Sequence, residues 1–263
     1  MSSPGTALVT GAARGIGAAV VARLVGRGFH VYAVDACAGA GAGAGTAYPL
    51  AAWEDLERVA AAHPDAVTPV VADACVIAQL GGVVDRIRSE RGGLQVAVAN
   101  AGIIAGGSLQ WETDDALLEQ VWRADAVSVW NTAKTTLPLL LQQDPARRPT
   151  FVAVASAAGE QGLYQLSAYC MAKHAVIGLV RALAADVAGL SVTVAGVSPW
   201  STDTAMLAAT AQIYGLDDTG PLLGGSAARA LEPDEVASVI EFACLAGPVV
   251  HGSILPAGRG GRE

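Results

Sequence analysis

Charged residues are scarce in this chain of 263 residues, where Asp, Glu, Lys and Arg together make up 15% of the sequence. The net charge is −8, and no cluster of Lys and Arg stands out along the chain. Because binding to a phosphate backbone requires a concentrated basic surface, we exclude a nucleic-acid partner and expect small-molecule chemistry.

Cysteines and long apolar runs are also in short supply. The four cysteines, Cys37, Cys75, Cys170 and Cys244, have no C-x-x-C spacing and no cluster of histidines beside them. We therefore expect reduced thiols and no metal site. No apolar run reaches the length of a membrane span, and residues 1–10 lack the basic start of a signal peptide. The sequence thus predicts a cytoplasmic protein that does not enter a membrane.

Hydrophobic residues, in contrast, make up 52% of the chain, which suits strands that are covered by helices on both faces. Short β-branched runs alternate with stretches long enough for a helix. This alternation predicts an α/β fold, a three-layer, doubly wound parallel sheet of about seven strands. The predicted strands are residues 6–10, 30–36, 66–73, 94–100, 150–156, 191–198 and 252–258. The length favours a single domain over residues 1–263.

Two segments interrupt this alternation. Residues 36–47 are a low-complexity run of Gly and Ala, which predicts a flexible surface loop to which we assign no chemistry. Residues 200–231 follow the sixth predicted strand, at the edge where such sheets bind ligands, and indicate a lid. We interpret residues 1–110 as mainly the cofactor-binding half and residues 111–263 as the catalytic and substrate half.

The sequence TGAARGIG joins the first predicted strand to the first predicted helix. Gly11 allows a tight turn, Gly15 allows a phosphate to approach, and Gly17 lets the helix pack closely on the strand. Arg14 and Ile16 lie within the same turn. Backbone N–H groups at the start of such a helix favour a pyrophosphate, so we predict a dinucleotide site here.

Asp35 ends the second predicted strand, about 20 residues after the glycine turn, as expected of a carboxylate that accepts hydrogen bonds from a ribose diol. The same carboxylate would repel a 2′-phosphate. Arg14 has the opposite preference, because a basic side chain in the turn can help a 2′-phosphate to bind. We give Asp35 the greater weight and predict NAD(H) as the cofactor.

Tyr169 and Lys173 lie four residues apart in the sequence SAYCMAKHAV. Side chains at this spacing share one face of a helix, and an ammonium there can lower the pKa of a neighbouring phenol. The same spacing arises by chance on many helices. The pair therefore indicates a catalytic site only in combination with other residues.

Together these motifs make the chain resemble the classical short-chain dehydrogenase/reductase family, whose fold is of the Rossmann type. The resemblance spans nearly the whole chain and rests on TGAARGIG, on Asp73, on NAG at 100–102, on Ser156 and on the pair Tyr169 and Lys173. It implies that Tyr169 is the general acid/base and that Ser156 hydrogen-bonds the reacting oxygen. It also implies that Lys173 lowers the pKa of Tyr169 from about 10 and binds the nicotinamide ribose.

The resemblance further implies contacts along the cofactor. Asp73 would touch the adenine, and Thr204 would hold the nicotinamide carboxamide. Tyr169 and Lys173 would contact the cofactor as well. The other residues that the resemblance places in the cofactor cleft are Asn100, Ala101, Gly102 and Thr202.

The chain departs from the family pattern at three places. Asp125 stands where the family usually has an Asn as a fourth catalytic residue. Its side chain is either ionised within reach of Lys173, turned away from it, or protonated by burial. Trp200 stands where Pro-Gly is usual, and LPAGRGG near the C-terminus lacks the usual Asp-Gly-Gly. Trp111 and Trp200 are either walls of the substrate pocket or ordinary packing residues.

Within the family, the sequences VYAVDACA, YPLA and AYCMAKHAVIGLV resemble the mycofactocin-coupled dehydrogenases of actinobacteria. That group carries extra residues after the second strand and holds NAD tightly. The resemblance therefore implies that free NAD+ does not exchange in the ordinary way.

The function that the family resemblance implies is an NAD(H)-dependent oxidoreductase that interconverts a secondary alcohol and a ketone, in specialised metabolism. Two alternatives stay open: a redox-neutral epimerisation or dehydration on the same fold, and a catalytically weakened cofactor-binding partner subunit. The helix that carries Lys173 continues with apolar residues on more than one face. This pattern predicts a homo-oligomer, and the resemblance implies a homotetramer with two-fold axes.

Overall fold

The sheet has seven strands, all parallel, in the order β3-β2-β1-β4-β5-β6-β7. The computed structural model describes residues 5–39, 46, 48–223 and 229–258. The strands are β1 Thr6–Thr10, β2 His30–Asp35, β3 Val67–Val71, β4 Val96–Ala99, β5 Thr150–Val154, β6 Thr193–Pro199 and β7 Ile254–Ala257. Each predicted run overlaps one strand, and the predicted Rossmann-type, doubly wound fold in a single domain is confirmed.

Helices cover both faces of the sheet. Their bounds are α1 Gly15–Gly26, α2 Trp53–Ala61, α3 Ile77–Arg91, α4 Asp115–Trp122, α5 Ser128–Leu140, α6 Ser167–Asp186, α7 Ala205–Ile213 and α8 Pro233–Leu245. Helices α1 and α8 pack against each other on one face, while α3, α5 and α6 supply the core of the other face. The result is three layers, as expected for a parallel sheet that must be buried on both sides.

The central strand β1 shows how the apolar sequence produces this arrangement. Ala7 and Val9 belong to the core cluster on one face, and Leu8 belongs to the cluster on the other face. All three side chains are fully buried. A strand without a polar face can only lie in the middle of a sheet, so β1 and its neighbours form a rigid support for the loops that follow them.

The chain changes direction at β1, which pairs with β2 on one side and with β4 on the other. The segments that leave the carboxyl ends of β1 and β4 therefore diverge towards opposite faces of the sheet. Open α/β sheets bind their ligands at such a point.

The two segments that interrupt the strand–helix alternation are described in part. Of residues 36–47, positions 40–45 and 47 lie outside the described residues, as do positions 259–261 of the sequence LPAGRGG. The predicted lid, residues 200–231, contains α7 and a short 3-10 turn, Gly220–Leu223. Its residues 224–228 also lie outside the described part.

Helix α6 is long and apolar enough to cross a membrane by length and composition alone, and no other helix among the described residues meets that test. Half of the apolar stretch of this helix is buried inside the protein. Burial of this kind is typical of a core helix in an α/β fold, which passes the same test for a different reason.

Candidate active site

A cleft of about 1740 Å³ opens at the carboxyl ends of the strands. All but one of the predicted site residues line this cleft: Gly11, Arg14, Gly15, Ile16, Gly17, Asp35, Asp73, Asn100, Ala101, Gly102, Ser156, Tyr169, Lys173, Thr202 and Thr204. The exception is Asp125, which lies behind the wall and is fully buried. Among the described residues, no three His, Cys, Asp or Glu side chains come together as a metal ion would need.

The glycine turn is tight because its residues leave no room for side chains. Gly11 and Gly15 have φ values of +64° and +57°, a conformation that favours glycine. A Cβ at Gly17 would lie 2.0 Å from the carbonyl oxygen of Gly11. No side chain caps the first N–H groups of α1, so these donors are available to an anion in the cleft.

Asn100 holds this turn in place. Its amide Nδ2 donates to the carbonyl oxygens of Thr10 and Gly11, at 3.1 and 3.0 Å. The backbone N–H groups of Asn100 and Ala101 donate in turn to the Thr10 hydroxyl, at 3.1 and 3.2 Å. The side chain predicted to line the cofactor cleft therefore ties the carboxyl ends of β1 and β4 together.

Asp35 is fixed by the backbone on both sides. One carboxylate oxygen accepts from the N–H of Ala13 at 3.1 Å, and the other accepts from the N–H of Cys37 at 3.0 Å. Each oxygen has a second lone pair, so the carboxylate can still accept hydrogen bonds from a ligand. Asp73 is held in a similar way, because its Oδ1 accepts from the N–H of Cys75 at 2.8 Å.

Two threonines close the opposite end of the cleft. Thr204 is the N-cap of α7, and its hydroxyl accepts from the N–H of Leu207 at 3.4 Å. The Thr202 hydroxyl is buried and donates to the carbonyl oxygen of Trp200 at 2.7 Å. Of the two tryptophans considered as pocket walls, Trp200 lines the cleft, whereas Trp111 lies on the surface with 76% of its area exposed.

Ser156, Tyr169 and Lys173 come together at the centre of the cleft. Ser156 follows β5, and its Oγ accepts from the N–H of Ala158 at 3.2 Å. Tyr169 and Lys173 lie on one face of α6, with Nζ of the lysine 5.7 Å from the centre of the tyrosine ring. Both side chains are buried. The Tyr169 hydroxyl contacts the sulfur of Met206 at 3.8 Å, which is a weak acceptor.

Asp125 lies on a π-helical turn, Arg123–Val127, between α4 and α5. Its Oδ1 is 3.2 Å from Nζ of Lys173, and its Oδ2 accepts from the N–H of Ile103 at 3.3 Å. The side chain of Asp125 thus faces Lys173 and is not turned away from it. π-Helical turns inside helices are frequent at functional sites.

The pKa of Tyr169 differs from the expectation. Burial raises this pKa above the ordinary value of 10.0, and the Asp125 carboxylate raises it further, while the Lys173 ammonium and the Ser156 hydroxyl lower it. The prediction of a lowered pKa is therefore wrong for the net effect. Lys173 acts in the predicted direction, but burial and Asp125 outweigh it.

The charges of Asp125 and Lys173 support each other. Burial lowers the pKa of Lys173, but Asp125 and Tyr169 raise it by more, so that it lies above 10.5. Burial raises the pKa of Asp125, and the ammonium opposes this rise. The net pKa of Asp125 lies above its ordinary value of 3.8, because burial outweighs the Lys173 ammonium and the N–H of Ile103.

The sequence reasoning missed one residue of the site, Tyr48. Together with residues 49–51 it forms a segment, here called the strap, that runs along the cleft after β2. The Tyr48 hydroxyl accepts from the N–H of Ile104 at 3.3 Å, and the Arg14 guanidinium lies 5.8 Å from the centre of its ring. Arg14 also donates to the carbonyl oxygen of Pro49 at 2.7 Å. An aromatic residue directly after a Gly/Ala run was the available signal.

The cleft combines a phenol, an ammonium and a serine hydroxyl with a helix N-terminus that is open to an anion. This combination defines a dinucleotide-dependent oxidoreductase. A family model described as short chain dehydrogenase matches residues 5–214. The chain belongs to this family.

Similar proteins narrow the choice of cofactor. An uncharacterized NAD-dependent oxidoreductase of Mycobacterium tuberculosis is 30% identical over 266 residues, covering 97% of this chain and 94% of its own. The (-)-trans-carveol dehydrogenase of Rhodococcus erythropolis is 33% identical over 204 residues, covering 76% and 72%. The crystal structure of a carveol dehydrogenase from Mycobacterium avium in complex with NAD has a TM-score of 0.88 at 25% identity, covering 98% of each chain. The chain is an NAD-dependent oxidoreductase.

The cleft fits this cofactor. The glycine turn, where a Cβ at position 17 would collide with the backbone, lets a ligand approach the uncapped start of α1. The carboxylate of Asp35 is held at the same edge by two backbone donors. An anion site beside a fixed carboxylate is the combination that a pyrophosphate and a ribose diol require.

Proposed function

We propose that the protein interconverts a secondary alcohol and a ketone with NAD(H), in specialised metabolism. The buried pair Tyr169 and Lys173 beside Ser156 carries this proposal, because it places a proton donor, a charge and a hydrogen-bonding hydroxyl at one point of the cofactor cleft. The carveol dehydrogenases among the similar proteins support the same substrate class by name.

The proton chemistry follows from the three side chains. During oxidation, Tyr169 in its phenolate form takes the hydroxyl proton of the alcohol, and during reduction the phenol returns it to the carbonyl oxygen. Ser156 hydrogen-bonds the same oxygen in both directions. Lys173 stabilises the phenolate and holds the nicotinamide ribose. When bound, NAD supplies the hydride acceptor, and its reduced form supplies the hydride.

We propose that different parts of the cleft hold different parts of the cofactor. The start of α1 after Gly11, Gly15 and Gly17 holds the pyrophosphate, and Asp35 holds the adenosine ribose. Asp73 contacts the adenine, and Thr204 contacts the carboxamide. The residues proposed to line the rest of the cofactor path are Arg14, Ile16, Asn100, Ala101, Gly102 and Thr202.

Residues 1–110 therefore act mainly as the cofactor half and residues 111–263 as the catalytic and substrate half, with residues 200–231 as a lid. Around Tyr169 the side chains are apolar, with Leu166 and Met206 in the same cluster. Such a pocket suits a neutral substrate. We place the enzyme in the cytoplasm.

The strap supports the narrower assignment to the mycofactocin-coupled group. It lies after β2, where that group carries extra residues, and contacts both the glycine turn and the segment after β4. A segment tied to both of these loops restricts the exit of a bound dinucleotide, so we propose that NAD is retained through turnover.

The test is an oxidation assay with neutral secondary alcohols, NAD+ and an artificial electron acceptor, which follows both the reduced cofactor and the reduced acceptor. Tyr169→Phe should lower kcat/KM at least about 100-fold and leave NAD binding unchanged. Tyr164→Phe is the matched control, since Tyr164 is 68% exposed. Equal activity of the two variants would refute the role of Tyr169. Conversion of a substrate without net redox change would instead indicate epimerisation or dehydration.

A further inference from the structure

Asp125 is a buried carboxyl group that does not reach the cleft. Its side chain has no exposed surface, and its partners are Nζ of Lys173 at 3.2 Å and the N–H of Ile103 at 3.3 Å. Oδ1 accepts no hydrogen bond of good geometry, and its contact with Nζ of Lys173 is an ion pair. A buried carboxylate is costly unless it is paired, so its contribution must act through Lys173.

The geometry around Lys173 links Asp125 to the phenol. Nζ of Lys173 lies 3.2 Å from the carboxylate and 5.7 Å from the centre of the Tyr169 ring, and it also donates to the carbonyl oxygen of Val154 at 3.4 Å. Gly102 makes this contact possible, because a Cβ there would lie 2.5 Å from Oδ1 of Asp125 and 3.4 Å from Nζ. The ammonium therefore has a negative partner on the side away from the cleft.

We propose that Asp125 is a positioning residue that holds Lys173 by a direct ion pair and keeps the Tyr169 phenol protonated at neutral pH. The proposal rests on the proposed role of Tyr169 in proton transfer. A lone buried ammonium would attract a negative charge onto the phenol oxygen. Because the Asp125 carboxylate already balances the charge of that ammonium, ionisation of the phenol is less favourable.

The other titratable groups that face Asp125, Lys173 and Tyr169 do not supply a second negative charge beside the ammonium. Tyr48, from the strap, and Cys75, after β3, both have their pKa raised to about 12, mainly by burial, and are neutral at physiological pH. Arg123 is exposed to solvent, and Arg14 donates to the backbone of the strap. The remaining neighbours of the phenol are the hydroxyl of Ser156 and the thiol of Cys170.

This arrangement has a consequence for the direction of catalysis. A protonated Tyr169 is ready to donate a proton to a carbonyl oxygen, whereas oxidation of an alcohol requires the phenolate. We therefore expect reduction to proceed at neutral pH and kcat/KM for oxidation to rise towards alkaline pH.

The test is a spectroscopic titration that needs neither substrate nor turnover. The near-ultraviolet absorbance of tyrosinate is measured against pH, and the curve of Tyr169→Phe is subtracted to isolate Tyr169. In the wild-type protein the midpoint of the Tyr169 titration should lie above pH 10.0, the ordinary value for tyrosine. In Asp125→Asn the same titration should move to lower pH by at least about one unit. The pH profile of kcat/KM for oxidation should shift in the same direction.

Asp115→Asn is the charge-matched control, because Asp115 is an exposed carboxylate at the start of α4, and it should leave the titration unchanged. Superimposable titrations of wild type and Asp125→Asn would overturn the proposal, as would a shift to higher pH. A midpoint below pH 10.0 for Tyr169 in the wild-type protein would overturn it even if the Asn variant fails to fold. Activity lost in Asp125→Asn with an unmoved titration would assign Asp125 a direct chemical role instead.

Discussion

At the scale of single residues, Asp35, which we propose as the determinant of cofactor specificity, is held in place by backbone contacts. The N–H groups of Ala13 and Cys37 fix both carboxylate oxygens at the end of β2. Cys37 has φ of +49°, an uncommon value for a residue other than glycine, and this turn brings its N–H back to the carboxylate. The negative charge is thus held at one place in the cleft.

The first prediction concerns the choice between NAD and NADP. Asp35→Ala removes hydrogen bonds to the ribose and the repulsion of a 2′-phosphate, so NAD should bind about 10-fold to 100-fold more weakly. NADP should bind more tightly than to the wild-type protein. Fluorescence titration of both cofactors measures the change.

Asp65→Ala removes an exposed carboxylate from the turn before β3 and serves as the control for net charge. It should leave both affinities unchanged. An unaltered ratio of the two affinities in Asp35→Ala would contradict the assignment of Asp35.

At the scale of secondary-structure elements, the strap bridges the glycine turn after β1 and the segment after β4. Arg14 ties it to the glycine turn, and Tyr48 ties it to Ile104 after β4. This use of Arg14 also bears on cofactor choice, because a guanidinium that donates to the Pro49 carbonyl is less available to a 2′-phosphate.

The second prediction is that the strap slows the release of NAD. Tyr48→Phe removes the acceptor for the Ile104 N–H while keeping the ring beside Arg14, so one hydrogen bond is lost. A loss of about 1 kcal/mol corresponds to release that is about fivefold faster. Stopped-flow displacement of NADH measures the rate, with Tyr164→Phe as the control. An unchanged rate would show that the strap does not restrict the exit.

Helices α1 and α8 are joined by an ion cluster. Glu241 of α8 is nearly buried and accepts from Arg23 at 2.9 Å and from Arg27. Burial opposes ionisation of Glu241, but the two guanidinium groups outweigh it, so the pKa of this carboxyl lies below 4.5. The stabilisation is therefore complete above pH 4.5 and is lost as the pH falls through the folded-state pKa.

The third prediction follows from this sign. Glu241→Gln should lower the free energy of unfolding by about 1 to 2 kcal/mol at neutral pH, because charged hydrogen bonds to two arginines are weakened. The difference from wild type should shrink below pH 4.5, where the carboxylate becomes protonated. Urea denaturation at several pH values measures it, with the exposed Glu57→Gln as the control. A difference independent of pH would contradict the ion-pair explanation.

At the scale of the whole molecule, large apolar side chains lie exposed on neighbouring helices. Trp122 of α4, Trp130 of α5 and Met171 of α6 are 37%, 55% and 47% exposed. Exposed apolar surface of this size on adjoining helices is typical of an interface between subunits. We propose that these helices pair across a two-fold axis in a homotetramer.

The fourth prediction tests that assembly. Trp130→Glu places a charge in the proposed interface, so the molecular mass in solution should fall to that of a smaller oligomer. Sedimentation velocity at micromolar concentration measures it. Trp53→Glu is the control, because Trp53 is also exposed, at 41%, but lies on α2. A wild-type monomer would refute the tetramer. An unchanged molecular mass of Trp130→Glu would show that the interface lies elsewhere.

The sequence by itself determined the layered sheet and most of the cleft. The β-branched run in β6 is fully buried along its length. Such a run is compatible only with a parallel strand inside the sheet, covered on both faces. The glycine turn and Asp35 are local in sequence, so their positions relative to β1 and β2 follow from the order of the elements. Tyr169 and Lys173 share a helix face by spacing alone. These features depend on periodicity and short-range geometry.

Only the tertiary structure decided how the charges interact. Asp125, Lys173 and Ile103 are separated in sequence, and their contacts depend on how α6 packs against the π-helical turn and the segment after β4. The pKa of Tyr169 depends on burial, which no spacing reveals, and so the predicted direction of its shift was wrong. Tyr48 was missed for the same reason, since its contact with Ile104 joins two loops through space. Electrostatic energies depend on distance and solvent exposure, and both are set by packing between elements rather than by order along the chain.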